Sequence, residues 1–544
     1  MKKALFVLCC LAMAAMVWAG GTQPSGGPVT SGVSRLSITV VESLRIEDYK
    51  TNVQTKLIEQ QANVDFTFTI LPSTDYTNRI NLMVMAGGQE LTDIICSNPG
   101  DAMIYQWARE GAIVPLTKYY NDPAKSPNLR ESFNRIGRNY LPDITSPDGE
   151  IYGFPSLNQS YYVEMNFKHM YYKPWSDKLG LKFPTTTAEY PAFLRAIVNG
   201  DPNGNGRRDE IGLTGQFNTT GAEYGRWFQW LMNSFVYSGD SRNLTVTNGR
   251  VGAAYNTNEW REGLRFIRGL VAEDLIPTEA LTQNLNQMLT LLNQDGPVVF
   301  SFVWDNVDGI NASNPAGDLY DIALPLRGPQ GLQYATYRPS VANVAMVVSK
   351  NCRDVDAAFR VGDLMANEFY GISQRFGAEG KDWDYARNVP NASTRFNPTV
   401  PGWPLSIVVY DDALFWGGSA VSNGSWRQIG SMVRAYGIVN GWGLPSDRDT
   451  GRAGLNARFS VVYQEEAIKP SEVIPKLIFN DREVTEVTDL LANLQTYVTS
   501  STAAFLAGNM NIDTQWNAYI TELNNIGVQR MLTIVQGVYD RMFK

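Results

Sequence analysis

Histidine is almost missing from this sequence: His169 is the single one in 544 residues. That scarcity excludes a His-rich zinc site and any catalytic pair of histidines. His169 lies in Asn166-Phe167-Lys168-His169-Met170-Tyr171, where a surface or hydrogen-bonded structural role is expected. Cysteine is nearly as scarce. Cys9 and Cys10 fall in an apolar N-terminal run, leaving Cys96 and Cys352. One pair is far below the density of a disulfide scaffold, so a bridge between them is open and the fold does not require it. Positive charge is also short, with 46 basic against 54 acidic side chains and a net −8; removing Lys2 and Lys3 with a leader leaves 44 basic ones and −10. Such a balance argues against nucleic acid or an anionic membrane as partner. No internal stretch approaches the apolar length of a membrane span, and no repeat or low-complexity tract is evident.

What is present begins with Met1-Lys2-Lys3, an apolar Ala4 to Val17, and small residues up to Ala19 and Gly20. This reads as a secretory leader, residues 1–19, cleaved near Ala19, followed by a Gly/Ser/Pro/Thr tether over 20–32. Cys9 and Cys10 lie too early to serve as a lipoprotein cysteine, and the mature chain is expected on the periplasmic or extracellular side. At this length more than one core is expected.

Arg35 to Val41 alternates like a strand, Asp48 to Ala62 carries helical spacing, and Val64 to Ile70 alternates again. Asp75 to Met85 returns to the helical period until Gly87-Gly88, and Leu91 to Cys96 is a short buried strand. Strand, helix, strand, helix, strand opens a doubly wound α/β sheet. Further on, Trp260 to Ala272 reads as an amphipathic helix and Asp295 to Trp304 as a turn feeding a buried strand. Asp321 to Leu326 and Ala342 to Ser349 read as strands returning to the first lobe. Ala386 to Leu444 is long, irregular and tryptophan-rich.

One stretch stands out chemically, Asp201-Pro-Asn203-Gly-Asn205-Gly206-Arg207-Arg-Asp209-Glu210. Asp201, Asn203 and Asn205 alternate as in the first half of an EF-hand loop, and Gly206 occupies the position that needs positive φ. A hard cation such as Ca2+ gathers six to eight oxygens, which Asp209, Glu210 and the Arg207 carbonyl would complete. The twelfth position is Gly212 instead of the usual Glu. The alternative is an Asn-Gly turn whose side chains bond their own backbone.

The order Thr69-Ile-Leu-Pro-Ser-Thr-Asp75-Tyr76, Met85-Ala-Gly-Gly88, Leu91-Thr-Asp-Ile-Ile95, Glu110-Gly-Ala-Ile-Val-Pro-Leu116 and Asp148-Gly-Glu-Ile-Tyr-Gly-Phe-Pro155 resembles the extracellular solute-binding proteins of family 1, the sugar-binding subunits of ABC importers. Asn258-Glu-Trp-Arg-Glu-Gly-Leu264, Glu273-Asp-Leu-Ile-Pro277, Ala378-Glu-Gly-Lys-Asp-Trp-Asp-Tyr385 and Trp516-Asn-Ala-Tyr519 extend the likeness over nearly the whole mature chain. The resemblance implies an α/β, two-lobe periplasmic-binding-protein fold (type II-like) with a C-terminal helical segment near the hinge. Lobe I is expected over 33–155 and 320–370, lobe II over 156–319 and 371–500, and the C-terminal helices over 501–544. It also implies a carbohydrate ligand, by size an oligosaccharide, a permease partner, a monomeric protein, and a structural calcium in the large oligosaccharide-binding branch, held by Asp201, Asn203, Asn205, Arg207, Asp209 and Glu210.

Sugars need aromatic faces for stacking and planar polar groups for hydroxyls. The candidates are Trp304 and Asp305 at a strand end, Trp416 beside Gly417-Gly418, Tyr152 at the first lobe crossing, Arg338 before a returning strand, Trp383 and Tyr76. Against each stands the chance of a packing role, since the chain holds 13 Trp and 26 Tyr. A secreted glycosidase or lyase with a carboxylate pair is the competing class. Neither a nucleophile elbow, a phosphate-binding loop nor a His-Glu-x-x-His helix is present to favour an enzyme.

Overall fold

The computed structural model describes residues 32–159, 164–217, 226–239, 242–311, 313–390, 407–410, 421–434 and 452–544. Trp416 and the leader lie outside the described residues. Strands are numbered along the chain. The first sheet holds β1 (Ser34–Val41), β2 (Val64–Leu71), β3 (Ile94–Ile95), β4 (Phe154–Asn158), β10 (Asn343–Val348) and β13 (Met432–Arg434), in the spatial order β13-β4-β10-β3-β1-β2. β1 runs parallel to β2 and β3, with Ile38 opposite Phe68 and Ile94, and the crossovers are supplied by helices such as Val53–Ala62 and Tyr76–Met85. Covered on both faces, β1 buries Leu36, Ile38 and Val40 on one face and Thr39 on the other.

β10 alone is antiparallel to its neighbours β3 and β4, and β13 is parallel to β4. All five other strands therefore end at one edge. The first core lies around this sheet, with Phe66, Phe154, Phe359, Tyr370 and Trp426. Trp426 is enclosed against Tyr49, Phe66 and Phe68 with ring centroids 6.0–6.4 Å apart, and its indole N–H donates to Thr55 Oγ1 at 2.8 Å.

The second sheet is β8 (Ser301–Trp304), β5 (Lys168–Tyr172) and β9 (Tyr320–Ala323), with β5 antiparallel to both. Its core gathers Trp227, Trp230, Trp260, Phe300 and Phe302. The hairpin β6 (Leu244–Thr247) and β7 (Arg250–Ala253) flanks it, while β11 (Trp383–Tyr385) and β12 (Ile407–Val409) form a separate ribbon.

Three expectations are corrected. Tyr320–Ala323 does not return to the first lobe; it pairs with β5, His169 facing Ala323, and belongs to the second. Within the 371–500 segment expected in lobe II, Trp426 and β13 complete the first lobe, because β13 pairs with β4 across a sequence gap that local periodicity cannot bridge. The boundary at 500 falls inside one helix, Asp481–Ala507, started by a capping box between Asn480 and Glu483. Leu494, Val498 and Phe505 of that helix share the second core with Trp260, Leu264 and Ile267 of the helix Asn258–Ala272. Its first turn sits at the lobe junction, where Asp481 pairs with Arg109 and the nearby Lys476 reaches Asp101 Oδ1 and the Ala342 carbonyl, both at 3.0 Å. Cys96 and Cys352 are both free and buried. Among the described residues no helix is long and apolar enough to cross a membrane.

His169 is also not where the sequence suggests. It lies fully enclosed on β5, edge-on to Trp230 at 4.2 Å and near Phe183 and Tyr190, and neither ring nitrogen has a hydrogen-bond partner. Burial holds its pKa down to about 3, against an ordinary 6.5. Between those values the unfolded chain binds the extra proton, so stability is complete above the unfolded value and falls as pH drops below it. Each pH unit in that window costs about 1.4 kcal/mol. Thermal melts at pH 7 and pH 5 should show the native protein losing about 2 kcal/mol more than His169→Phe, whose difference isolates this group from the other acids and bases.

Candidate functional site

The chain passes between the lobes from β4 to β5, from β9 to β10, and onward from β13. The first two passages are clasped. Glu164, 1% exposed, accepts through Oε1 from the Ser340 N–H at 3.1 Å and the Ser340 hydroxyl at 2.7 Å, and its carbonyl accepts from the Arg338 N–H at 2.8 Å. Since β5 starts and β8 and β9 end at the same side, that edge of the second sheet faces the first lobe. Across from it stand the carboxyl ends of β1, β3, β4 and β13. Opposed strand ends are where open α/β sheets bind ligands.

On the second-lobe edge, Trp304 ends β8 and Asp305 follows it. The half-buried Trp304 indole lies on Gly309 so closely that a Cβ there would stand 2.0 Å from its ring. Asp305 Oδ1 accepts from Arg226 Nη1 at 2.8 Å, and the Asp305 carbonyl accepts from Lys168 Nζ at 3.2 Å. Arg226 is almost enclosed and Asp305 is 37% exposed, so the pair is only partly screened. Lys168 is wholly buried; burial pulls its pKa down to about 8, Asp305 opposing and Arg226 adding to the fall. Arg226 and Arg338 both lie over the Phe167 ring, at 5.3 and 5.2 Å from its centroid. Trp304, Asp305 and Arg338 are thus brought to one edge, with Phe167, Lys168 and Arg226 as members that sequence reasoning missed. Their neighbourhood depends on antiparallel register, Lys168 facing Trp304.

Two of the other candidates, Trp383 and Tyr76, are buried in packing roles. Trp383 is 0% exposed, packs with Phe369 and Tyr385, and donates its indole N–H to the Gly377 carbonyl at 2.9 Å, so no face is left for a sugar. Tyr76 is buried, its hydroxyl bracing the ends of β3 and β1 through the Cys96 carbonyl at 2.7 Å and the Thr39 carbonyl at 3.3 Å. Tyr152 is tied to Asp148 Oδ2 at 2.8 Å within its own turn. Trp416 lies outside the described residues.

The Asp201–Glu210 loop is held by its own side chains. Asp201 accepts from the Asn205 and Gly206 N–H groups at 3.0 and 3.1 Å, Asn203 from the Asn205 N–H at 3.0 Å, and Asn205 from the Arg207 N–H at 2.8 Å. Gly206 has φ +73, and Asp201 itself adopts +45. The amides of Asn203 and Asn205 donate to Asp209, and that bonding holds its carboxyl below the usual range. Glu210 is 4% exposed with neither carboxylate oxygen partnered. An uncompensated buried carboxylate is costly, so a cation beside it fits this donor set. No three carboxylate, Cys or His groups are gathered for an ion among the described residues, so binding one would need the Asn amides to turn their oxygens inward and the loop to tighten. Ile211 pairs with Val299, placing the loop roughly 16 Å of extended strand from Trp304.

The sequence profile of the bacterial extracellular solute-binding proteins matches residues 55–366. The chain belongs to this family. This solute-binding protein is 26% identical over 519 residues to the fructooligosaccharide ABC transporter substrate-binding protein FusA of Streptococcus pneumoniae serotype 4 (strain ATCC BAA-334 / TIGR4), covering 93% of this chain and 89% of FusA. Among solved structures, the HMO-binding ABC-transporter-associated solute-binding protein of Bifidobacterium longum infantis superposes with TM-score 0.74 at 21% identity, over 94% of this chain and 99% of that one. An EF-hand mutant of S. pneumoniae FusA in complex with fructo-nystose does so with 0.68 at 22%, over 93% and 99%. The two-lobe solute-binding fold is shared with both.

Burial separates the two tryptophans of this protein that sequence alone ranks together. Trp383→Ala should lower stability by about 3–5 kcal/mol in denaturant melts, whereas Trp304→Ala, half-buried at the lobe edge, should cost less than about 2. Equal losses would show that Trp304 is as much a core residue as Trp383.

Proposed function

We propose that this solute-binding protein is the carbohydrate-binding subunit of an ABC importer, closing its lobes about an oligosaccharide and presenting it to the membrane permease. The single observation that carries this is the alignment with FusA along almost its whole length. The opposed edges support it: Trp304 offers a ring face, and Asp305, Arg226 and Arg338 offer planar polar groups in a partly desolvated setting. Binding to both edges favours the closed arrangement by the difference in contacts between closed and open forms, which is what a permease can read. The relatives named are binding proteins, which supports a role without bond cleavage. The leader over 1–19 and a monomeric state belong to the same reading.

A calcium ion in the Asp201–Glu210 loop is part of the proposal. Asp201, Asn203, Asn205, Asp209 and Glu210 would hold it with the Arg207 carbonyl, and it would supply positive charge for the buried Glu210. Its role is structural, since the loop joins the second sheet at the far end of β8.

Two measurements test the reading. Calorimetry with a panel of oligosaccharides should give saturable heat without product, with scattering showing compaction, and Trp304→Ala should weaken binding at least tenfold, about 1.4 kcal/mol. Cleaved sugar, or no compaction at saturation, would count against it. Chelation should lower stability by about 4 kcal/mol at millimolar calcium and micromolar affinity while leaving sugar affinity unchanged. Glu210→Gln should remove that sensitivity; a melting curve indifferent to chelator would leave the loop a turn.

A further inference from the structure

The loop after β8, residues 305–311, sets how Trp304 and Asp305 are presented, and two asparagines from distant elements hold it. Asn456, on the helix Arg452–Glu466, is 5% exposed. Its Oδ1 accepts from the Val307 N–H at 3.0 Å and its Nδ2 donates to Asp308 Oδ1 at 2.7 Å, so both ends of the amide are spent on this loop. Asn293, just past the helix Leu285–Leu292, does the same for the later half: its Nδ2 donates to the Gly309 carbonyl at 2.8 Å and its Oδ1 accepts from the Asn311 N–H at 2.7 Å. Within the loop, Asn306 Oδ1 accepts from the Asp308 N–H at 2.9 Å and the Ile310 N–H donates to the Val307 carbonyl at 3.0 Å, while Val307 and Ile310 are buried in the second core.

Both supports are themselves fixed. The helix carrying Asn456 also carries Tyr463, whose hydroxyl accepts from the His169 N–H and the Trp230 indole N–H, both at 3.1 Å, and donates to the Ala323 carbonyl at 2.8 Å. One buried oxygen thus ties that helix to β5 and β9. Asn293 Nδ2 also donates to the Leu289 carbonyl of its own helix at 2.8 Å. Leu289 in turn stands beside the loop, since a Cβ on Gly309 would lie 3.0 Å from Leu289 Cδ2 as well as 2.0 Å from Trp304 Cζ3. Gly309 is outside the left-handed region, so its backbone would accept alanine; the indole is what excludes a side chain there. A mobile loop would have to be ordered each time a sugar stacked on the ring, and that entropy would be subtracted from binding. A loop tied at Val307, Asp308, Gly309 and Asn311 presents the ring before the ligand arrives.

We propose that Asn456 and Asn293 are positioning residues for sugar binding: they hold the 305–311 loop so that Gly309 seats the Trp304 indole at the lobe edge, and neither needs to touch the sugar. The inference rests on the carbohydrate-importer reading, with Trp304 as the stacking face, and deepens it.

The test is a double-mutant cycle on the full chain, read by calorimetry at pH 7 with kestose, maltotriose and raffinose as probes, beside denaturant melts of every variant. Asn456→Ala and Asn293→Ala should each weaken binding about five- to tenfold in the parent, and by less than about twofold when Trp304 is already alanine. Gly309→Ala, an allowed change for the backbone, should weaken the parent about tenfold and leave Trp304→Ala unchanged, so the outcome does not depend on the buried asparagine variant folding. A residue with only a structural role would lower the melting midpoint and spare affinity, or would weaken both backgrounds equally; either result overturns the inference and leaves the carbohydrate reading standing. If Trp304→Ala binds as tightly as the parent, or no probe binds, the stacking reading fails and the inference with it.

Discussion

The direction of β10 is the constraint on which the rest depends. It enters the first sheet from the second lobe and runs against β3 and β4, so every other strand of that sheet ends where the chain crosses over. A crevice between strand ends is then a consequence of connectivity. Glu164 strengthens the arrangement by tying the outgoing passage to the returning one through Ser340 and the Arg338 backbone. Two donors on one oxygen of the buried carboxylate and a third on the Glu164 backbone carbonyl resist sliding of one passage past the other.

Charge is distributed around this crevice in a way that burial makes consequential. On the second-lobe edge a wholly enclosed Lys168 and a nearly enclosed Arg226 are offset by Asp305, which is open enough to meet a ligand. The calcium-like loop takes no part in this field. It meets the second sheet at the opposite end of β8, and its buried Glu210 concerns the firmness of that lobe.

Much of the fold was legible because it is local. Val64 to Leu71 alternates as a strand whatever surrounds it, the Thr257 cap and apolar face mark the helix Asn258–Ala272, and the Asx geometry around Asn203 and Asn205 follows from side chains bonding backbone two residues on. Other features were not local. Trp426 and β13 reach the first lobe by pairing with a strand far earlier in the chain, and Tyr320–Ala323 alternates equally well for either sheet. Of the candidate site residues, Trp304 and Asp305 could be picked from their place at a strand end. Trp383 and Tyr76 could not be set aside, because an aromatic ring that braces a turn and one that awaits a sugar have the same side chain.

Family, two-lobe α/β class and the oxygen-rich loop were therefore written in short-range patterns of polarity and glycine, which need no partner to be read. Three-dimensional packing alone decided that His169 is a buried neutral ring and that Lys168 and Arg226 share Asp305. The physical reason is the same in each case. Burial and charge–charge proximity are properties of what lies beside a residue in space, and strand register across distant segments sets those neighbours.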